Sequence, residues 1–300
     1  MRYAPRSAAL LLVTGLTGTP IAMPAAQAAA QQAAAATPVS LRLDLRPGAT
    51  VEQAFSVDMQ MQQEAQGMQT NVGMAMSMEL TQEVEAVNGD GNFVTDLNVK
   101  RVRLETELPM YGKAVLDTED PTSAEGTPLA AQIGPLLALT DSPLRRVISP
   151  RGEVLSTDQT EGGVNPTRQE LLTMVRVIMP TFPDRPLNLG DTWDQTLASN
   201  LPGNAGGPIQ STLTWTLRSV EGGDASFGLS GTNRVQAQPN PGTDLRLEIR
   251  SEGSAVVDTR TGLVRTMTLT QNNAGDVTTN NGEVTMPMTS TTTIRLDASY

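Results

Sequence analysis

MQMQQEAQGMQTNVGMAMSMEL, Met59 to Leu80, carries six of the chain's fourteen methionines. Met59 and Met61 alternate on one side of a glutamine-rich centre; Met74, Met76 and Met78 alternate on the other. In a strand, residues i, i+2 and i+4 share a face. The stretch therefore reads as two strands joined by a turn over Glu64–Asn71, with all five methionines on one side. Thioethers are soft ligands that suit Cu(I), and they are equally pliable apolar filler. A second stretch, VRTMTLTQNNAGDVTTNNGEVTMPM, repeats the plan. Met267 and Leu269 lie on one predicted strand, a Gln/Asn-rich turn follows, and Met286 and Met288 lie on the next. Leu269 stands where a copper ligand should be, so the repeat favours an apolar sheet face over a metal site. The candidate ligand face is Met59, Met61, Met74, Met76, Met78, Met267, Met286 and Met288, with no metal or other cofactor expected. The pattern leaves open whether that face is closed core or open groove.

Strand signals extend through the chain. VSLRLDL alternates Val39, Leu41, Leu43 and Leu45, and TVEQAFSVDMQM groups Val51, Phe55, Val57, Met59 and Met61. NGDG at Asn88–Gly91 is a hairpin turn, followed by a strand from Phe93 to Leu104. Pro150-Arg151-Gly152 marks another tight hairpin. Thr127–Thr140 is predicted as one or two helical turns, with Thr127 as cap, Pro128 at the first position and an interruption at Pro135. NPTRQELLTMVRVIMP is the clearer helix, Asn165–Met179: Asn165 caps it, Leu171, Met174, Val175 and Ile178 form an apolar stripe, and Pro180 ends it.

An internal echo follows that helix. Gly190-Asp191-Thr192-Trp193-Asp194-Gln195 matches Gly48-Ala49-Thr50-Val51-Glu52-Gln53 in character, position for position. LRSVEGGDASFGL echoes QEVEAVNGDGNFVTDL, and DTRTGLVRTMTL echoes ISPRGEVLSTD, in the same order. The pattern implies a degenerate duplication. The expected fold class is mainly β (a β-rich α+β protein): two related, curved antiparallel sheets, half-barrel-like, packed around one central amphipathic helix. The expected divisions are a signal peptide over 1–28, an Ala/Gln leader over 29–38, a first β half over 39–160, a helix and linker over 161–182, and a second β half over 183–300.

The segment PDRPLNLGDTW carries a Pro-x-x-Pro-x-x-x-Gly-Asp-x-Trp pattern at Pro183, Pro186, Gly190, Asp191 and Trp193. Following a helix and a SPRGEVL hairpin, it resembles an uncharacterised family of exported bacterial β-rich proteins. The general shape is also similar to half-barrel lipoprotein carriers and sensors of the cell envelope. The resemblance implies an envelope protein and brings no site residues with it.

Arg2 and Arg6 precede a broken apolar run from Ala8 to Met23, and Ala26-Gln27-Ala28 offers a small-x-small cleavage pattern, so the N-terminus reads as a secretory signal peptide. The formal net charge is −11. Losing residues 1–28 removes two arginines and no acids. This balance argues against nucleic acid and anionic lipid surfaces as partners. The chain lacks histidine and cysteine, which excludes Ser-His-Asp and Cys-His catalysis and zinc sites built on those residues. Lys100 and Lys113 are the only lysines. Aromatics make up 3% of the chain, too few for the stacking platforms of a sugar site. Asp191 lacks an evident partner for acid catalysis, and the acidic loop Asp117–Glu125 lacks calcium-loop spacing.

The expectation is an exported, soluble, non-enzymatic envelope protein, periplasmic before outer-membrane or extracellular. It would bind a lipophilic small molecule or act as a scaffold for an envelope protein, with no membrane span in the mature chain. One alternative is an outer-membrane β-barrel or barrel-associated component, suggested by the alternating TTTIRLDASY ending in Tyr300. The other is a Met-based Cu(I) protein.

Overall fold

The computed structural model describes residues 38–65, 68–108, 112–157, 179–199, 209–240, 242–279 and 284–300. The expected signal peptide, most of the expected leader and, apart from Met179, the expected Asn165–Met179 helix lie outside them.

Among the described residues, twelve strands form one antiparallel sheet. In chain order they are β1 (Thr50–Ala65), β2 (Met68–Val87), β3 (Phe93–Leu108), β4 (Gly112–Asp117), β5 (Leu144–Ile148), β6 (Val154–Thr157), β7 (Thr192–Ser199), β8 (Ile209–Glu221), β9 (Asp224–Asn240), β10 (Thr243–Asp258), β11 (Val264–Thr279) and β12 (Val284–Ser299). The spatial order is β6-β5-β3-β2-β1-β12-β11-β10-β9-β8-β7, with β4 beside the far part of β3. The expected pair of sheets is therefore corrected to a single one. The two series of strands are fused edge to edge where β1 pairs with β12, from Glu52↔Ser299 to Gln63↔Met288. Edge pairing satisfies the backbone of both outer strands, which two stacked sheets would leave exposed. Among the described residues β6 and β7 do not pair with each other, and the sheet is open.

The alternation in the opening stretch is that of a hairpin, but its turn is tighter than expected. Gln62↔Asn71, Glu64↔Gln69 and Ala65↔Met68 are paired, so most of Glu64–Asn71 is strand. At the other end of β2, Asn88 Oδ1 accepts from the backbone N–H of Asp90 (3.0 Å) and Asn92 (2.9 Å), which closes the NGDG turn. Between β8 and β9, Gly222 and Gly223 both take positive φ, as a two-residue hairpin requires.

VSLRLDL alternates as expected but is no ladder strand. Leu41, Leu43 and Leu45 are buried, while the backbone makes isolated bonds in place of a ladder: Val39 exchanges bonds of 2.9 and 2.8 Å with Leu187, Leu43 N–H donates to Pro150 O at 2.7 Å and Asp44 N–H to Thr261 O at 2.9 Å. The Thr127 hydroxyl accepts from Leu129 N–H, and a short 3-10 turn at Ala130–Gln132 leads into α1, Ile133–Thr140. Pro135 sits inside the first turn of α1, where its missing N–H has no intrahelical partner to lose. It does not interrupt the helix.

One face of the sheet is covered by the segments entering β1 and β7 and by α1. Leu41, Leu139, Phe182 and Leu187 pack there on Phe55, Met78, Leu296, Met267 and Phe227. Each such fully buried side chain contributes about 1.5–3 kcal/mol.

The echo in the sequence recurs in hydrogen bonds. Gly48 N–H donates to Val84 O (2.7 Å) and Val84 N–H to Ala49 O (2.9 Å); Gly190 N–H donates to Leu217 O (2.8 Å) and Leu217 N–H to Asp191 O (3.0 Å). Each strand then bulges just past the bonded residue, between Val84 and Ala86 and between Leu217 and Ser219. At the other hairpins, Ser149 N–H donates to Glu153 O and Asp258 N–H to Leu263 O, both at 2.9 Å. Bulges again precede both turns. Gly152 lies directly under the Pro180 carbonyl on the way into β7, and Gly262 directly under the Arg42 carbonyl on the way into β1.

Tyr300 closes the seam at β12. Its hydroxyl donates to Asp258 Oδ2 at 2.5 Å and accepts from Arg260 Nη2 at 3.1 Å. Burial works against ionisation of Asp258. The Tyr300 hydroxyl, the Arg265 guanidinium and the N–H groups of Thr261 and Arg260 outweigh it and hold the carboxyl well below the usual range. A depressed folded-state pKa contributes stability that is present above the unfolded value near 4 and lost as pH falls below it. Urea unfolding from pH 6 to pH 3 should therefore show a steeper loss in wild type than in Asp258→Asn. Tyr300→Phe should lower stability at neutral pH by about 1 kcal/mol. An unchanged pH slope in Asp258→Asn would remove this clamp from the account.

Candidate functional site: the methionine strip

All eight singled-out methionines share the covered face of the sheet, on the four adjacent strands β2, β1, β12 and β11. Met59 stands opposite Met74 and Thr292; Met61 stands opposite Val72 and Ser290. Met76 faces Val57 and Leu104, and Met78 faces Phe55 and Val102. Met267 lies between Leu296 and Ala255. Met288 stands opposite Gln63 and Gly275, and Met286 opposite Val277. The two methionine hairpins are thus side by side in one sheet. They do not face each other across a gap, because the β1–β12 seam joins them laterally.

The strip has two environments. Met78 and Met267 are 4% and 1% exposed and belong to the closed core with Phe55, Leu296 and Phe227. Met59, Met61, Met74, Met76, Met286 and Met288 are half-buried. Met74 and Met76 pack on the small cluster of Leu104, Leu116 and Leu129 under α1. Around the others the same face carries polar groups. Gln271 Nε2 donates to Ser251 Oγ at 3.4 Å and Asn273 Nδ2 to Ser290 Oγ at 2.9 Å. Gln63 Nε2 donates to the Met286 sulfur at 3.6 Å. Only Met59 and Met74 are directly opposed methionines, and their next neighbours across the sheet are Thr292 and Thr106. Register therefore supplies one two-sulfur pair, and the residues completing its surroundings are hydroxyls.

The acids weighed from sequence are occupied. Asp191 Oδ2 accepts from Asn188 N–H (3.0 Å) and Arg185 Nη1 (2.6 Å). These donors hold its carboxyl below the ordinary range, so it stays ionised while it locks the turn before Trp193. Asp117 takes a two-pronged contact from Arg101, at 3.1 and 2.5 Å. Arg101 is the main cause of its lowered pKa.

Two buried clusters were not singled out from sequence. In β7–β9, Trp193 stacks on Trp215 with centroids 5.4 Å apart, and Phe227 meets both rings edge-on. Trp215 Nε1 donates to Gln195 Oε1 at 3.0 Å. In β2, β3 and β5, Gln82, Thr95 and Arg146 are 0%, 0% and 1% exposed. Arg146 Nη2 donates to Gln82 Oε1 at 2.8 Å, and Nη1 approaches the Met179 sulfur at 3.8 Å. The signal for both was positional. Gln82 shares the parity of Leu80 and Val84, and Arg146 that of Leu144 and Ile148, which places polar side chains at core positions.

A family of unknown function, DUF6263, matches residues 167–264. No curated protein matches the sequence. Among solved structures, an outer-membrane channel of Pseudomonas putida F1 is similar at 8% identity, over 85% of this chain and 97% of that one, with a TM-score of 0.22. That score does not support a shared fold. Among the described residues, no helix is long and apolar enough to cross a membrane.

Proposed function

We propose that the chain is an exported, non-enzymatic protein of the cell envelope, built from two copies of one β unit, that binds a lipophilic small molecule along the half-buried methionines of β2, β1 and β12. The observation that carries this reading is the division of the strip: an apolar face that is closed core at Met78 and Met267 and stays partly open at Met59, Met61, Met74, Met286 and Met288. A flexible thioether surface adapts to varied apolar shapes. The neighbouring Gln, Asn, Ser and Thr groups fix orientation, as the few polar groups of ligand sites do. Export, with the periplasm as destination, rests on the Arg2–Ala28 pattern. The non-enzymatic reading rests on the lack of histidine and cysteine and on the engaged state of Asp117 and Asp191. The duplication rests on the matched bonds and bulges of the two series.

The outward side of the same strands favours this reading over a membrane barrel. Glu52, Asp58, Gln60 and Gln62 on β1, Glu79 on β2 and Thr289, Thr291, Arg295 and Asp297 on β12 are all exposed. A spanning barrel needs an apolar outer band and a closed sheet.

The test uses the fluorescent lipophile N-phenylnaphthylamine on two triple variants at Met59, Met61 and Met74. Replacement by leucine keeps an apolar face; replacement by glutamine does not. Retained binding in the leucine variant with at least tenfold weaker binding in the glutamine variant is expected. Equal affinity in the two variants sinks the proposal. Cu(I) titration of the same leucine variant separates the metal reading, since leucine removes every thioether of the pair.

A further inference from the structure

The duplicated register exposes a second site. Val84 pairs with Thr95, and Thr95 with Arg146. In the other series Leu217 pairs with Phe227, and Phe227 with Ala255. Gln82, two residues before Val84, corresponds to Trp215, two residues before Leu217. The positions filled by Trp215, Phe227 and Ala255 in one series thus hold Gln82, Thr95 and Arg146 in the other. The aromatic series shows that the architecture accepts apolar side chains at these positions, so packing does not demand the polar set.

That polar set is incomplete. Arg146 Nε, Gln82 Nε2 and Thr95 Oγ1 are buried and lack hydrogen-bond partners among the described residues. All three bear hydrogens to donate. No carboxylate among the described residues pairs with the Arg146 guanidinium, and burial alone pushes its pKa down to about 10. Besides Gln82, the guanidinium meets the Met179 sulfur at 3.8 Å, and a thioether is a weak acceptor. Met179 is half-buried and also lines a cavity of about 20 Å³ with Gln53, Phe182 and Leu296. An uncompensated buried charge with surplus donors is a strong receptor for an acceptor-only anion.

We propose that Arg146, Gln82 and Thr95 form a binding site for a carboxylate, which enters past Met179 and replaces its sulfur on the guanidinium. Nη1–H, released from the sulfur, donates to one carboxylate oxygen with the charge of the guanidinium behind it. Thr95 and the Gln82 amide then supply further donors. The site is separate from the methionine strip, and its occupancy does not depend on lipophile binding there.

Titration of the full chain with sodium acetate and with sodium decanoate, followed by the backbone amide resonance of Thr95, tests the site. A saturable shift is expected in wild type. It should weaken at least tenfold in Arg146→Met and several-fold in Thr95→Val, which preserves shape should the first variant fold poorly. Decanoate binding at least tenfold tighter than acetate would identify the head of an amphiphile; equal affinities would identify a small free carboxylate. Either result supports the site. The absence of a saturable shift with both anions, or affinities unchanged in the folded variants, overturns it.

Discussion

Gly152→Ala and Gly262→Ala are each expected to lower stability by about 3 kcal/mol or more, whereas Gly48→Ala and Gly190→Ala should lower it by only about 1 kcal/mol. All four glycines take positive φ, between 71° and 87°, so each alanine meets the same left-handed backbone penalty. The difference lies in the space above the Cα. Nothing lies within 4 Å of a side-chain carbon built on Gly48 or Gly190. At Gly152 that carbon would overlap the Pro180 carbonyl oxygen, and at Gly262 the Arg42 carbonyl oxygen. Those carbonyls belong to the segments entering β7 and β1, and neighbouring bonds pin both segments. Phe182 N–H donates to Arg151 O at 2.8 Å, and Asp44 N–H donates to Thr261 O at 2.9 Å. Backbone held on both sides cannot yield as a flexible side chain can. Each alanine must therefore push an entry segment off the sheet, taking Phe182 or Leu43 out of its packing. Urea unfolding of the four variants checks this. Four equal losses would mean that the entry segments move freely over the hairpins.

This pinning was partly legible beforehand. The glycines of SPRGEV and DTRTGLV stood out as turn residues, and the echo placed them in corresponding positions. What covers them was not legible, because the covering backbone arrives from about 30 residues away in one case and over 200 in the other. The same limit explains the sheet count. Alternation at Met59–Met78 and Met267–Met288 reports which side chains share a face within a hairpin. It carries no information on which hairpin edges meet, and the β1–β12 pairing joins the first and last strands in chain order at the middle of the sheet. VSLRLDL shows the converse. Its alternation reports burial of Leu41, Leu43 and Leu45, which an extended segment lying across a sheet satisfies as well as a ladder strand does. For the candidate site, parity groups the methionines within each hairpin, and the register of the four strands puts all eight on one face. Parity could not separate Met78 and Met267 from the half-buried six, since that depends on where α1 and the entry segments end. Arg146 and Gln82 share the parity of Leu144, Ile148, Leu80 and Val84, so their burial was legible, whereas their pairing across β3 depends on register that the sequence does not carry.

The aromatic and polar clusters should respond to truncation in opposite directions. Trp215→Ala is expected to cost about 3–5 kcal/mol. Trp215 is fully buried. Its ring is stacked on Trp193 and met edge-on by Phe227, and its indole N–H satisfies Gln195. Removing it opens a cavity beside Trp193 and Phe227 and takes the indole donor away from the Gln195 carbonyl oxygen. Rings anchored on separate strands cannot collapse into the space. At the corresponding positions of the first series, the double change Gln82→Leu with Arg146→Met removes an uncompensated buried guanidinium together with its amide partner. Replacing such a group by apolar side chains of similar volume is neutral to stabilising by about 1–4 kcal/mol. Chemical denaturation monitored by tryptophan fluorescence reads both, with Trp193 remaining as reporter in Trp215→Ala. A large loss for Trp215→Ala beside an equal or raised stability for the double variant would show that the first series gives up stability to keep its buried donors, as a binding site does. Losses of similar size would instead make Gln82 and Arg146 structural counterparts of the tryptophan, held in place for packing alone.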